Sequence, residues 1–420
     1  MIPRVTMAIA VSPVPTVSES SVLRFSRWVL FVTVAAMPLY VVRWHYGPLP
    51  TTLLETLILI TVALYVVARW QEGRRRPVAT SLDLPIALFL LAGAISVGVA
   101  SDHRAALGLY RAYFIEAVAV FYVAVDLVRR TEHVQRLVLA FAIGSTLFAA
   151  LNLVAFTLAL LSNSVHIGTA PNALYGDANP VAMYLDPAFA LAVGLVLFGP
   201  SPRWRWTGVA WFAVIGAALL LTFSKGGYLA VGALALVAVL SVRRWGAPLL
   251  VGAVAAALVI AQIPLVAQRL GTIPISIGGR LEIYRATLQM IRNSPIFGVG
   301  LGGYSYQFRG EVPEIYPHDI WLTFWVEIGL LGLIAFAMIL FWLLWRGWRA
   351  WPQMQAFYRP ALWGALGALV MWVAHGLVDS PYWKNDMSVE FWTLAAVVII
   401  CLRTSAQEPE SVSRRRPARP

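Results

Sequence analysis

The sequence predicts an all-α protein, a polytopic transmembrane helix bundle of about 12 spans with one long, partly helical extracytoplasmic loop. Three observations carry this expectation. Hydrophobic residues make up 60% of the chain and charged residues only 12%, with a mean hydropathy of +0.74, whereas soluble domains are about half apolar and a quarter charged. Apolar runs long enough, or nearly so, to cross roughly 30 Å of hydrocarbon recur along the chain. Arginines gather between alternate runs, as the positive-inside rule requires.

Taken in order, residues 1–24 are polar and contain Ser and Pro, without the basic lead, short apolar core and small-residue cleavage site of a signal peptide. They read as a cytoplasmic tail. Spans are expected at 27–43, 51–68, 82–100, 112–128, 137–161, 180–199, 206–223, 226–242, 247–266, 320–345, 361–378 and 389–402, so that 25–403 forms the bundle. If the N-terminus is inside, 22 of the 32 basic residues fall on the cytoplasmic side, among them Arg4, Arg27, Arg69, Arg75, Arg76, Arg129, Arg243 and Arg403. Both termini are then cytoplasmic, and 267–319 is the long outer loop. The ending at 404–420, with SRRRPARP, reads as a disordered basic tail drawn to anionic membrane lipids.

Composition also narrows function. A formal charge of +12 could suggest nucleic acid, but arginines flanking apolar runs are explained by topology, so no nucleic-acid partner is expected. Cys401 is the only cysteine, which leaves neither a disulfide nor a thiolate metal site within the chain. There is no HExxH, and Glu311 and Glu314 look isolated, so no metal and no cofactor are expected.

Chemistry is expected in the outer loop and the helix that follows it. Residues Arg280 to Asn293 have Leu281, Tyr284, Leu288 and Ile291 at helical spacing and stop at Asn293-Ser294-Pro295. Gly278-Gly279 just before them would leave N–H groups free at a helix start, which with Arg280 would make a phosphate site, the alternative for Arg280 being contact with lipid headgroups. Arg285, Gln289 and Arg292 share the opposite face and read as contacts to lipid headgroups. The formal GxGxxG from Gly298 to Gly303 lacks the strand and helix of a dinucleotide fold, and reads instead as a mobile, close-packing loop.

His318 stands between Pro317 and the next helix, at the expected outer edge of the membrane, where an imidazole can take a proton from an attacking hydroxyl or serve as a cap. Asp319 reads as the helix cap. Glu327, about two turns into that span, must find a partner or line a cavity. Arg111 could face phosphate but is better explained by pairing with Glu116, and Asp186 needs a partner of its own. His375 and Asp379 have i,i+4 spacing, which suits a structural pair or a cavity lining better than a metal site.

The order of these segments resembles the O-antigen ligase-like family of bacterial membrane proteins. The resemblance rests on a basic residue after Thr-x-Ser in LTFSKGG, then GRLEIYRATLQMIRNSPIFGVGLGGY, then PHDIWLTFWVEIGLLGL. GDANPVAMYL, Gly176 to Leu185, is similar to the family's asparagine-containing segment. The family includes O-antigen ligases, O-antigen polymerases and protein O-oligosaccharyltransferases.

The resemblance implies a metal-independent glycosyltransferase of the inner (plasma) membrane that uses an undecaprenyl-diphosphate-linked glycan as donor. The acceptor would be lipid A-core, another glycan or a protein. It assigns His318 to activating or positioning the acceptor, and Arg280 and Lys225 to the donor diphosphate. Lys225 stands where the family has arginine, which keeps the charge but loses the planar two-pronged contact. His318-Asp319 stands where the family has His-Asn. A basic cavity would equally suit a non-enzymatic carrier or flippase for a lipid-linked glycan.

Overall fold

The computed structural model describes residues 20–47, 49–74, 78–165, 170–242, 244, 246–310 and 313–407. Arg4, Arg75, Arg76, Arg243, Glu311 and all but the first few residues of the basic ending lie outside them. The chain opens with α1 (Ser21–Ala35), α2 (Leu53–Gln71) and α3 (Asp83–Val99). Next, α4 (His103–Tyr110) passes through a π-helical turn at Arg111–Ile115 into α5 (Glu116–Leu127), and α6 (Thr131–Leu161) follows. The middle holds α7 (Ala178–Phe198), α8 (Pro202–Leu221), α9 (Lys225–Ser241) and α10 (Gly246–Ala261). Then α11 (Pro264–Gly271), α12 (Ile273–Asn293) and the short α13 (Gly303–Gln307) lead to α14 (Ile320–Ala350), α15 (Tyr358–His375) and α16 (Asn385–Gln407). A small hairpin that the all-α expectation did not foresee pairs β1 (Arg43–Tyr46) with β2 (Leu49–Thr52), Arg43 opposite Thr52.

Each of the twelve apolar runs coincides with a helix. Among the described residues, seven helices are long and apolar enough to cross a membrane, and an eighth is reached if α10 and the α11–α12 segment, bent by 90°, count as one span. Length and composition together therefore support seven or eight spans, because α1, α3 and α9 have only 15, 17 and 17 residues and α15, with 18, is less apolar.

The interior is built from α7, α15 and α16, which are buried on nearly all sides, as a helix that is apolar all round must be. The α7–α15 contact is close at Gly194, where a Cβ would stand 2.8 Å from the Pro360 carbonyl oxygen. At the periphery, α10 has almost every apolar side chain exposed.

Polar clusters mark the two ends of the bundle. At one end Arg27 donates to the Leu127 carbonyl (2.9 Å) and meets His133 (3.0 Å), while Asp126 takes both Arg69 and Arg129. At the other end Glu55 accepts from Arg111 (2.8 Å) and from Asn385 (2.9 Å).

The glycine-rich loop and α14 hold each other. Helix α14 is broken at Ile328 and Gly329, the latter at φ +71°. The N–H of Leu330 reaches the Ile296 carbonyl (3.0 Å) and the N–H of Val299 donates to the Val326 carbonyl (2.7 Å), so backbone groups freed by the break are satisfied by the loop. Gly300, at φ +89°, passes so close to α3 that a Cβ would lie 2.4 Å from the Ala100 Cα. Only glycine tolerates both that conformation and that approach.

Candidate active site

His318 is fixed from several sides. Its backbone is left-handed, φ +52°, a conformation costly for a residue with a Cβ unless neighbours enforce it. The enforcement comes from flanking contacts. Asp319 caps α14 by accepting from Leu322 N–H (2.8 Å), and Ile320 N–H donates to the Gly376 carbonyl (2.8 Å). From α12, the Tyr284 hydroxyl reaches the carbonyls of His318 (3.1 Å) and Leu377 (3.3 Å).

The imidazole lies between two carboxylates. Its Nδ1 is 3.2 Å from Asp379 Oδ1 and its Nε2 is 2.9 Å from Glu314 Oε2. Asp379, in the connection between α15 and α16, also accepts from the Asn179 side-chain amide (3.1 Å) and from Ser380 N–H (2.9 Å). Burial opposes charge on His318, but the hydrogen bond and charge of Asp379, then those of Glu314, outweigh it and raise the imidazole pKa above its ordinary value. On the partner the signs agree: burial would raise the Asp379 carboxyl, yet the His318 contact holds it below the ordinary range. A neutral ring donates to one of these two carboxylates, and a protonated ring donates to both.

Cations gather where α9 meets α11 and α12. Lys225, the first residue of α9, is half-buried, and its Nζ donates to Ser276 Oγ of α12 at 2.6 Å. Arg280 is one turn further along α12, and the charges of Arg269 and Arg280 both act on Lys225. Arg280 also acts on Tyr284, together with Asp319 and Asp379. Among the described residues no carboxylate stands within ion-pair distance of Lys225 or Arg280. Arg269 donates to the carbonyl of Phe223 (3.0 Å), itself left-handed at φ +52°, and so braces the turn that presents Lys225.

One sequence expectation for this region is corrected. Helix α12 starts at Ile273, with Pro274 in its first turn, and not at Arg280. Proline pre-sets the helical φ, so the helix begins early. Gly278-Gly279 then lie within it, and their N–H groups are not free to form a helix-start phosphate site. The expected apolar face also divides: Ile291 is buried and Tyr284 half-buried, while Leu281 and Leu288 are exposed.

The other expected residues separate from His318. Arg111 pairs with Glu55 (2.8 Å) and Glu116 (3.3 Å), so its charge is shared between two carboxylates. Glu327 is buried and accepts from the N–H groups of Gly302 (2.5 Å) and Tyr304 (3.2 Å), tying the glycine-rich loop to α14. The side chains of His375 and Asp379 do not bond each other, although the Asp379 N–H donates to the His375 carbonyl (3.0 Å): His375 Nδ1 meets Asp186 Oδ2 at 2.6 Å. Arg285 and Arg292 are exposed.

Asp379, Asn179 and Glu314 were not anticipated at His318. Glu314 carried a usable signal, its i,i+4 spacing to the histidine, and Asn179 lies in the GDANP segment already singled out. Among the described residues no group of three or more His, Cys, Asp or Glu side chains is arranged to hold a metal ion.

Residues 208–337 match a family model described as O-Antigen ligase. The matched span holds Lys225, Arg269, Arg280, Tyr284, Glu314 and His318, while Asn179 and Asp379 come from outside it. No curated protein matches the chain. Residues 208–337 are thus similar to the O-antigen ligase family, the same family that the order of the sequence motifs resembles.

Proposed function

We propose that this protein is a glycosyltransferase of the bacterial inner membrane that moves a glycan from an undecaprenyl-diphosphate carrier to an acceptor on the outer face. The observation that carries the reading is the continuity from Lys225 and Arg280, through Tyr284, to a carboxylate-oriented His318. A lipid-linked donor presents its diphosphate at the membrane rim, so it needs cations there and a base within reach of its anomeric carbon.

In this reading the acceptor hydroxyl gives its proton to Nε2 of neutral His318 as its oxygen bonds the anomeric carbon. The bond from that carbon to the diphosphate oxygen breaks, and the electron pair leaves with the diphosphate. Lys225 and Arg280, with Arg269 beside them, stabilise the developing charge. Attack opposite the leaving group inverts the anomeric configuration. Asp379 holds the imidazole at Nδ1, so that Nε2 is the working edge.

The polar ends of the bundle support the orientation. The end carrying Arg27, Arg69 and Arg129 suits the cytoplasm by the positive-inside rule, which supports an outer position for His318. Purified protein given lipid-diphosphate glycan and an acceptor should release diphosphate lipid in step with glycosylated acceptor. Passage of the donor across liposomes without bond cleavage would favour a carrier and end the transferase reading. Lipid A-core as acceptor makes the protein a ligase, another lipid-linked glycan a polymerase.

A further inference from the structure

The two edges of the His318 ring are not equivalent. Nδ1 faces Asp379, which is 2% exposed and also held by Asn179 and Ser380. Nε2 is the edge left for a substrate, and Glu314 stands on it at 2.9 Å with its side chain 23% exposed. Among the described residues Glu314 has no other hydrogen-bond partner. A carboxylate oxygen at this distance takes the direction along which an acceptor hydroxyl would approach the base.

Resting on the transferase reading above, we propose that Glu314 holds the place of the acceptor hydroxyl on His318 and selects an uncharged acceptor sugar. The acceptor must displace the carboxylate to reach Nε2. A neutral sugar does this at little cost, because a neighbouring hydroxyl can donate to the displaced Glu314. The Tyr316 ring, 5.3 Å from the imidazole, offers an apolar wall for the sugar's C–H face. An acceptor carrying a phosphate or carboxylate beside its reacting hydroxyl meets like charge instead. Asp379 holds the ring at Nδ1, and the charge of Asp177 reaches Tyr316. Lys384 lies within the field of Asp386, Asp177 and Asp379 and offsets part of their charge, but Glu314 is not among the groups that act on it. Arg280 and Lys225 are not among the groups that act on His318, and in this reading they serve the donor.

The test uses the full chain in lipid nanodiscs with the lipid-diphosphate donor. Two lipid-anchored oligosaccharide acceptors differ only by a phosphate monoester next to the terminal hydroxyl. The wild type should favour the neutral acceptor by about tenfold or more in kcat/KM, the scale of one like-charge contact. Glu314→Gln should narrow that preference. It should also move the acid limb of kcat/KM to lower pH, because one of the two carboxylates that favour the protonated ring is gone while Asp379, Asp319, Asp177 and Arg280 remain. Glu314→Ala, which removes the hydrogen bond as well, should do the same. Equal use of both acceptors by the wild type would overturn the proposal. So would a Glu314→Gln variant that loses rate on both acceptors alike, with preference and pH limb unmoved, since that marks a structural role. Transfer to neither acceptor would refute the transferase reading and the proposal with it.

Discussion

Asp379 accepts from Nδ1 of His318 at 3.2 Å, joining two residues 61 positions apart. This contact fixes the ring's rotation and tautomer, so it separates two levels of loss. His318→Ala removes the base and should lower transfer by about 10²- to 10⁴-fold while lipid-donor binding persists. Asp379→Asn keeps the shape but not the charge, and should lower kcat by roughly 10- to 100-fold, the worth of one charge-assisted hydrogen bond. Initial-rate assays beside equilibrium binding of the diphosphate lipid check both. Full activity in His318→Ala removes the proposed base.

The pH profile has a definite sign. A base works only when unprotonated, and Asp379 and Glu314 raise the His318 pKa. Transfer should therefore rise with pH through a midpoint above the ordinary histidine value. Asp379→Asn withdraws the larger of the two charge contributions, so the residual activity should show its midpoint at lower pH. A midpoint that stays in place after this substitution would mean that another group titrates.

On the donor side, Arg280→Ala should raise the apparent KM for the lipid-diphosphate donor by roughly 10- to 100-fold, as expected for a lost charge-assisted contact to phosphate. Arg280→Lys should recover part of this, since it restores charge without the fork. Lys225→Arg should leave KM unchanged or lower it. Titration of the donor against each variant, with kcat measured separately, decides whether these cations bind phosphate or only shape the turn.

Apolar runs and arginine placement made the bundle legible, because each element carries that signal within itself. What stayed hidden depends on contacts between distant segments. Nothing near His318 in the chain names Asp379 or Asn179, and the i,i+4 spacing of Glu314 gains meaning only once the loop turns back at left-handed His318. The early start of α12 is hidden in the sequence because Gly278-Gly279 is a stronger boundary signal than Pro274. Glu327 was recognised as needing a partner, but backbone N–H groups of Gly302 and Tyr304 leave no side-chain signature.

That buried carboxylate yields a stability prediction. Glu327→Ala leaves two N–H groups of the loop without acceptors and should destabilise the fold by about 1–3 kcal/mol for each group that water cannot reach. Glu327→Gln retains one acceptor oxygen and should lose less. Thermal melting in detergent, followed by tryptophan emission, gives the order. An unshifted melt for the alanine variant would show that water replaces the carboxylate.

The last prediction concerns how Lys225 is presented. A Cβ on Gly226 would lie 2.4 Å from Cδ2 and 2.5 Å from Nε2 of His375. The ring cannot retreat, because it is 1% exposed and its Nδ1 is held by Asp186 at 2.6 Å. The first turn of α9 must then shift and carry Lys225 away from Ser276 and Arg280. Gly226→Ala should therefore cost about 1–3 kcal/mol of stability through overpacking and raise the donor KM, because Lys225 leaves its place. Gly232→Ala, on the same helix with open space around its Cα, should change neither property adversely. Adding His375→Ala to Gly226→Ala relieves the clash, so the donor KM should return toward that of His375→Ala alone. A double variant as impaired as Gly226→Ala would show that the clash with His375 is not what displaces the lysine.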